Sequence, residues 1–257
     1  VDWSYDLLPE PERRVFHYLS VFAGGWTLEA AEAVCGGEEI EREEVLDLLM
    51  RLVDKSLVLA EVGQSDETRY RLLETLRQYG RERLVASDEA AAVQTRHAAH
   101  YLALAEDLDP ERAMADNAVW SGRLATELDN LRAALHWFAD MKDVESLLQL
   151  ASALEWFWFF QGYAHEGERW LHEGLVSRDG ASPPVRAHAL SAAGMLGYRV
   201  GDYARAESLV QDSVALCRQL GERRVLAWAL HALSNITRAQ GKYVEADACI
   251  QEGLALG

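Results

Sequence analysis

The chain has 257 residues, of which 49% are apolar and 26% charged, a composition that is typical of a folded globular protein and excludes disorder. Its formal net charge of -17 argues against a nucleic-acid-binding surface, because DNA binding requires a clustered basic face. Its three cysteines are too few and too far apart for a disulfide framework, and no apolar run is long enough to span a membrane. We therefore expect a cytoplasmic protein that binds neither nucleic acid nor membrane.

The first 87 residues contain three helical patterns followed by two alternating ones. The helices are predicted over residues 11–22, 28–34 and 44–55, and Thr27 precedes the second helix as a capping residue would. SLVLAEV and TRYRLL then alternate around a polar turn at 63–67, as the strands of a β-hairpin do. Three helices and a hairpin predict a winged-helix domain over residues 1–87.

The net charge of this domain indicates which kind of partner it binds. Residues 1–87 hold eighteen Asp and Glu against ten Lys and Arg, and the third helix, EEVLDLLMRLVDK, presents mostly carboxylates. In a DNA-binding winged helix this element would lie in the major groove, where phosphates would repel it. We expect this winged helix to pack against protein instead of DNA.

Residues 88–140 are predicted to form a helical bridge. DEAAAVQTRHAAHYLALAEDL and ATELDNLRAALHWFADM lack helix-breaking residues, and the second segment carries an apolar stripe. The stripe consists of Leu128, Leu131, Leu135 and Phe138. It would bury against the first of the repeats that follow.

Residues 141–257 contain a repeated pattern. Gly162, Gly201 and Gly241 are 39 and 40 residues apart, and each is followed five residues later by a small residue: Gly167, Ala206 and Ala246. A glycine can close the first helix in the left-handed conformation, and the small residue lets a second helix approach closely. The pattern predicts an α-solenoid of stacked helical hairpins whose last unit reaches residue 257, so we expect a piece of a longer protein.

GDYARAESLVQDSVAL (201–216) and GKYVEADACIQEGLAL (241–256) resemble tetratricopeptide repeats, although the spacing is longer than the usual 34 or so residues and the Pro after the second helix is missing. The resemblance implies that first-helix side chains line a groove for a protein, peptide or small-molecule effector. The predicted groove residues are Trp156, Phe159, Phe160, Tyr198, Arg199, His231, Asn235 and Arg238. The alternative is that EWFWFF is simply core.

WSYDLLPEPERRVFHYLSVFAGGWTLEAAEAVC, LVDKSLV and YRLLETLRQYGRERL resemble the winged-helix segment of bacterial signal-transduction ATPases with numerous domains, whose NB-ARC type ATPase precedes tetratricopeptide repeats. The resemblance implies an upstream ATPase domain that holds ATP or ADP and against which the winged helix packs. Leu72, Leu73 and Glu74 replace the family's Met-His-Asp triplet, which leaves Glu74 as the candidate interdomain contact. The alternative for Glu74 is an ordinary first-turn carboxylate.

No sequence signal favours an enzyme. The chain has no GxxxxGK[ST] loop for phosphate, no GxSxG and no HExxH, and His97 with His100 lacks further metal ligands nearby. We therefore expect no cofactor or catalytic site in this chain. The predicted function is that of a regulatory and sensor segment of a nucleotide-switched transcriptional regulator, and the alternative is a protein–protein adaptor without a switch.

Overall fold

The computed structural model describes residues 5, 7–37, 39–62, 68–107, 117–177 and 180–256, with the backbone only at 117–119. The chain forms two compact units. The first comprises Val1–Leu104 with Ala125–Trp137, and the second comprises Ala105–Leu124 with Phe138–Gly257. Residues of the predicted bridge, 88–140, therefore contribute to both units, and the predicted domain limits at 87 and 140 stay predictions.

The first unit is a winged helix extended by two further helices. Its elements are α1 (Glu10–Leu19), β1 (Trp26–Thr27), α2 (Leu28–Cys35), a 3-10 turn (Arg42–Glu44), α3 (Val45–Asp54), β2 (Leu59–Val62), β3 (Thr68–Arg71), α4 (Glu74–Val85), most of α5 (Ala90–Glu106) and the middle of α6 (Asn117–Asp140). Helix α1 packs against α2, α3 and α4. The core of the helical bundle includes Phe16, Leu19, Leu49 and Leu52, all fully buried.

The sheet has one strand more than the sequence predicted. The predicted hairpin is confirmed: β2 and β3 pair antiparallel from Leu59 opposite Arg71 to Val62 opposite Thr68. Strand β1 then pairs with β3, which gives the order β1-β3-β2. A strand of two residues is too short to show an alternating pattern, so the sequence could not reveal it.

Helix α1 ends three residues before the predicted limit at Phe22. Residues 20–25 form a turn instead, and Asn130 of α6 holds it from a distance in sequence. The Ala23 amide donates to Asn130 Oδ1 at 2.9 Å, and Asn130 Nδ2 donates to the Gly25 carbonyl at 2.9 Å. The predicted cap of α2 is confirmed, since Thr27 Oγ1 accepts a hydrogen bond from the Ala30 amide at 3.2 Å.

The second unit is a stack of helical hairpins, as predicted. After the N-terminal part of α6 come α7 (Val144–Ala153), α8 (Glu155–Gln161), α9 (Ala164–Val176), α10 (Pro183–Val200), α11 (Tyr203–Leu220), α12 (Arg223–Ala239) and α13 (Tyr243–Leu254). The hairpins are α8/α9, α10/α11 and α12/α13, and helix α10 packs against both α8 and α12. The fold is therefore mainly α: a winged helix followed by tetratricopeptide-like repeats.

The glycines and small residues act as the spacing predicted. Gly162, Gly201 and Gly241 have φ values of 82°, 93° and 80°, the left-handed region that side chains disfavour. At Gly167 a Cβ would lie 2.6 Å from atoms of both Trp158 and Leu196, and Ala206 and Ala246 are buried. Close helix contact in each hairpin therefore depends on the small residue.

None of the helices in the described part of the chain is long and apolar enough to cross a membrane.

Candidate functional site

The first helices of the hairpins present one continuous face in the second unit, which we call the repeat face. Its side chains recur every three or four residues, the spacing of one side of an α-helix. On α7 and α8 they are Gln149, Ser152, Trp156 and Phe160; on α10 they are Pro184, His188, Ser191, Met195 and Tyr198; on α12 they are Arg224, Trp228, His231, Asn235 and Arg238.

The N-terminal half of the repeat face encloses a cavity of about 410 Å³. This volume lies within the range of small-molecule sites. Its polar lining comprises Glu106, Gln149, Ser152, Glu155, His188, Ser191 and Arg224. All the lining residues belong to the second unit.

Glu155, the first residue of α8, is one of two carboxylates among the described residues that line the cavity, the other being the exposed Glu106. Burial raises the pKa of its carboxyl group to about 7. No hydrogen bond or ion pair to this carboxylate occurs within the described ranges, and no neighbouring charge offsets the burial. Glu155 as a whole is half-buried, and at neutral pH its carboxylate carries a partial negative charge with which no described residue pairs.

Ser152, one turn before Glu155, has a second uncompensated group. The residue is 3% exposed, and its hydroxyl has no hydrogen-bond partner in the described structure. Buried hydroxyls normally find a partner, because desolvation without one costs roughly 1–3 kcal/mol. Ser152 and Glu155 thus place two polar groups of unmet hydrogen-bonding capacity on the same wall.

The opposite wall of the cavity is cationic. Burial lowers the pKa of His188, and the positive charge of Arg224 lowers it further, so His188 is neutral at physiological pH. Arg224 lies in the first turn of α12 and is exposed to solvent. Arg224 lies on α12 and Glu155 on α8, so the cationic and anionic groups of the cavity come from different hairpins.

Aromatic rings join the two walls. Trp156 and Trp228 meet edge to face with their centroids 6.0 Å apart, although they are 72 positions apart in the chain. Phe160 stacks on Trp156 at 5.6 Å, and Phe159 contacts both rings from the side. The π-faces of such rings attract organic cations as well as apolar groups.

The predicted groove residues lie mostly along the other half of the repeat face. Trp156 alone among them lines the cavity. Arg199 donates to the Phe159 carbonyl at 3.4 Å and lies over the Phe159 ring at 5.7 Å. Tyr198 contacts Tyr203 of its own hairpin, at 5.8 Å between centroids.

On α12 the structure brings three predicted residues together as a polar ladder. His231 Nε2 and Asn235 Nδ2 are 3.2 Å apart, and Arg238 donates to Asn235 Oδ1 at 3.1 Å. Burial lowers the pKa of His231, and Arg238 adds to the effect. Because these side chains satisfy one another, the ladder has less unmet polar capacity than the cavity.

Sequence reasoning missed Ser152, Glu155, His188, Arg224 and Trp228. Continuing the helical spacing backwards from the predicted residues would have reached most of them: from His231 to Trp228 and Arg224, and from Tyr198 through Met195 to His188. Helical periodicity identifies which side chains share a face, but it does not indicate which half of that face borders a cavity.

The winged-helix unit presents a different surface. On α3, Leu46 and Met50 are 40% and 44% exposed, and they lie one turn apart beside the acidic Asp47 and Asp54. The cations of this region are engaged by carboxylates of the same unit. Arg42 pairs with Glu32, and both Arg51 and Lys55 pair with the buried Glu12. Arg69 pairs with Glu127, and Arg71 pairs with Glu61.

Glu74 begins α4, as predicted, and its side chain is 73% exposed. Its carboxylate accepts two hydrogen bonds from Arg77, at 2.7 and 2.8 Å, and this pairing lowers its pKa. With Arg77, Gln78 and Arg81 it borders a shallow depression along α4. Whether Glu74 contacts another domain stays a prediction.

Among the described residues, no group of three or more His, Cys, Asp and Glu has the arrangement of a metal site. His97 is buried among aromatic rings, and its Nε2 lies 3.4 Å from Asn130 Oδ1. Burial lowers the pKa of His97 to about 4. This histidine is a neutral part of the core.

Comparison with protein families agrees with the two kinds of domain. A family model of the winged helix-turn-helix domain matches residues 8–85. A tetratricopeptide-repeat model matches residues 185–256, which contain all but the first two residues of α10 and the whole of α11 to α13.

Two similar proteins, from Mycobacterium tuberculosis and Mycobacterium bovis, are both named "Putative HTH-type transcriptional regulator". Each is 40% identical to this chain over 240 residues, which is 90% of the chain and 27% of the relative. An uncharacterized Mycobacterium tuberculosis protein is 44% identical over 101 residues, covering 39% of the chain and 25% of that protein. The chain thus spans about a quarter of the length of these relatives.

A crystal structure of a Signal Transduction ATPase with Numerous Domains protein with a tetratricopeptide repeat sensor, from Pyrococcus horikoshii, aligns with 98% of this chain and 51% of its own. The identity is 13% and the TM-score 0.38, so this likeness adds nothing to the fold assignment.

Proposed function

We propose that this chain is the regulatory and sensor segment of a nucleotide-switched transcriptional regulator. The repeat face binds an effector, and the winged helix packs against an ATPase domain that lies upstream in the longer protein. ATP or ADP is held by that domain. The proposal is consistent with the sequence likeness to proteins named as transcriptional regulators.

The observation that carries the sensor role is the cavity of the repeat face. A purely structural solenoid would fill this space or pair its polar groups, since uncompensated buried polar groups destabilise a fold. Here Ser152 and Glu155 retain unmet capacity in a space of about 410 Å³. Such a cavity is suited to holding a ligand.

The surface of α3 supports the role assigned to the winged helix. DNA binding requires cations that are free to replace the counterions of phosphate. Arg51 and Lys55 are already paired with Glu12, and the exposed side of α3 offers Leu46 and Met50 instead. An exposed apolar pair flanked by carboxylates favours a protein partner.

The test begins with the gene and continues with the protein. We expect a GxxxxGK[ST] loop in the upstream coding sequence, and we expect the upstream segment to bind this chain in isothermal titration. Replacing Leu46 and Met50 with Asp should weaken binding at least about tenfold. Val244→Asp, which changes an equally apolar exposed residue on α13, serves as the control and should leave binding unchanged. An upstream segment without the loop, or equal binding by both variants, would overturn the proposal.

DNA binding by the winged helix is a second candidate, favoured by the match of residues 8–85 to a winged helix-turn-helix domain. Fluorescence anisotropy with labelled duplex at low salt separates the two. Tight binding that weakens steeply with added salt and is lost in Arg51→Ala would favour DNA. If the winged helix packs against protein, no tight binding to the duplex is expected. A plain adaptor without a switch would bind its partner identically with ATP and with ADP.

A further inference from the structure

The charged and polar groups that line the cavity of the repeat face limit the kinds of ligand that it can bind. Its lining supplies three kinds of group: a carboxyl and a hydroxyl without partners among the described residues, a pair of tryptophans, and an arginine with a neutral histidine. An apolar ligand would leave the carboxyl and the hydroxyl without partners. A ligand that carries a cationic donor would satisfy both of them.

We propose that the cavity binds a small organic ammonium ion, with its N–H donors directed at the Glu155 carboxylate and the Ser152 hydroxyl and its carbon chain against Trp156 and Trp228. The proposal deepens the effector role proposed above by naming the class of effector.

Each contact in this arrangement has a physical reason. The Ser152 hydroxyl is buried and accepts no hydrogen bond from the described residues, so an ammonium group supplies the donor it lacks. An ammonium beside Glu155 compensates a carboxylate that burial otherwise disfavours. The two indole rings, 6.0 Å apart, add the attraction of π-faces for a cation and its methylenes.

The charge of Arg224 distinguishes between two kinds of ammonium ligand, a simple amine and a zwitterion. Arg224 disfavours a second ammonium at its end but can pair with a carboxylate. A zwitterion with separated charges would therefore use both ends, whereas a simple amine would use the Glu155 end alone. The shared chemistry is the ammonium group.

A series of compounds of equal chain length tests the proposal. Hexylamine carries one ammonium group, caproate carries one carboxylate, and ε-aminocaproate carries one of each. The chain has eight tryptophans, so labelling with fluorotryptophan and assigning two resonances through Trp156→Phe and Trp228→Phe gives a fluorine NMR readout at the site itself. We expect hexylamine and ε-aminocaproate to shift both resonances and caproate to shift neither.

Glu155→Gln should weaken hexylamine binding at least about tenfold, because the buried ion pair is lost. Glu173→Gln, an exposed substitution of the same kind on α9, is the matched control and should bind as the wild type does. Arg224→Ala should weaken only ε-aminocaproate if the natural ligand is a zwitterion; equal binding of ε-aminocaproate by Arg224→Ala and wild type identifies a simple amine. Either result is consistent with an ammonium site.

Affinity for hexylamine should also depend on pH. Within the described ranges, the titratable and charged groups that line the cavity are Glu106, Glu155, His188 and Arg224. The pKa of Glu155 is about 7 and that of His188 is lowered, so the charge that changes between pH 6 and pH 8 is that of Glu155. Hexylamine should therefore bind roughly tenfold more tightly at pH 8 than at pH 6.

Caproate binding as well as hexylamine, equal binding of hexylamine by wild type and Glu155→Gln, or the absence of any shift at both tryptophans would each overturn the ammonium site. None of these results would affect the titration against the upstream segment, which depends on α3. The failure of this inference and the failure of the proposed switch are therefore distinguishable.

Discussion

Glu127 in the winged-helix unit and Glu155 in the repeat unit differ in how their carboxylates are paired. In the winged-helix unit the buried carboxylate of Glu127 is fully engaged: Arg69 pairs with it, Tyr101 donates to it at 3.1 Å and Asn130 at 3.0 Å. In the repeat unit, Glu155 and Ser152 have no such partners in the described structure. We infer that the first network maintains the fold, whereas the second set of groups is available to a ligand.

The largest expected effect is at Glu127. Glu127→Gln removes the charge opposite Arg69 and should destabilise the first unit by about 3 kcal/mol, because the half-buried Arg69 loses its ion-pair partner and the hydrogen bonds from Tyr101 and Asn130 lose their charged acceptor. Urea unfolding followed by circular dichroism measures the change. The exposed pair Arg71–Glu61 provides the control, since Glu61→Gln should cost less than about 1 kcal/mol. Equal effects at the two positions would contradict the structural role of the network.

A smaller loss of stability is expected at Gly194, where the two helices of a repeat cross. A Cβ at Gly194 of α10 would lie 2.2 Å from Val210 Cγ2 and 3.0 Å from the Ala206 carbonyl oxygen. Gly194→Ala should therefore destabilise the second unit by about 1–3 kcal/mol through overpacking. Gly122→Ala on α6 meets nothing within 4 Å and should instead stabilise its helix by about 0.5–1 kcal/mol. Thermal unfolding distinguishes the two signs.

Glu155→Gln should raise stability, because the variant removes an uncompensated charge. In the folded protein the pKa of Glu155 is about 7, above the ordinary value of 4.5, so the folded state binds the proton more tightly than the unfolded state does. The wild type consequently loses stability as pH rises between these two values. The gain of the variant should be on the order of 1 kcal/mol at pH 8 and vanish near pH 4, as measured by urea unfolding at both values.

Glu173→Gln, measured in parallel, should show no such pH-dependent gain. A loss of stability in Glu155→Gln at pH 8 would mean that the carboxylate has a structural partner, which would remove the contrast between the two units.

The smallest effect is expected at Arg238, in the polar ladder of α12. Its guanidinium is exposed and bonds only locally among the described contacts, to Asn235. Arg238→Ala should change the free energy of unfolding by less than about 0.5 kcal/mol and leave hexylamine binding intact. A marked loss of hexylamine binding would move the ligand toward the other half of the repeat face.

Sequence periodicity predicted much of the fold, because left-handed glycines and small crossing residues recur at fixed spacing. Gly162, Gly201 and Gly241 marked the ends of the first helices, and Gly167, Ala206 and Ala246 marked the close contacts. The hairpin β2/β3 was equally visible in its alternation. These features are local, so the chain itself displays them.

What the sequence did not predict depends on distant residues. Asn130 holds the turn after α1 through the Ala23 amide, 107 positions away, and the two-residue strand β1 exists only because β3 is there to pair with it. The cavity was missed for the same reason: Trp156 and Trp228 meet only after three hairpins have stacked. Helical spacing predicted half of the repeat face. The cavity in the other half forms only when the helices stack.

The contrast between paired and unpaired polar groups is tested most directly by ligand-dependent thermal stability at pH 8. A ligand that binds only the folded state raises the unfolding temperature, by an amount that grows with the logarithm of its concentration relative to Kd. Hexylamine should raise the melting temperature of the wild type and of Glu173→Gln, and should leave that of Glu155→Gln unchanged. An equal rise in all three proteins, or no rise in the wild type, would contradict the assignment of Glu155 to an ammonium-binding site.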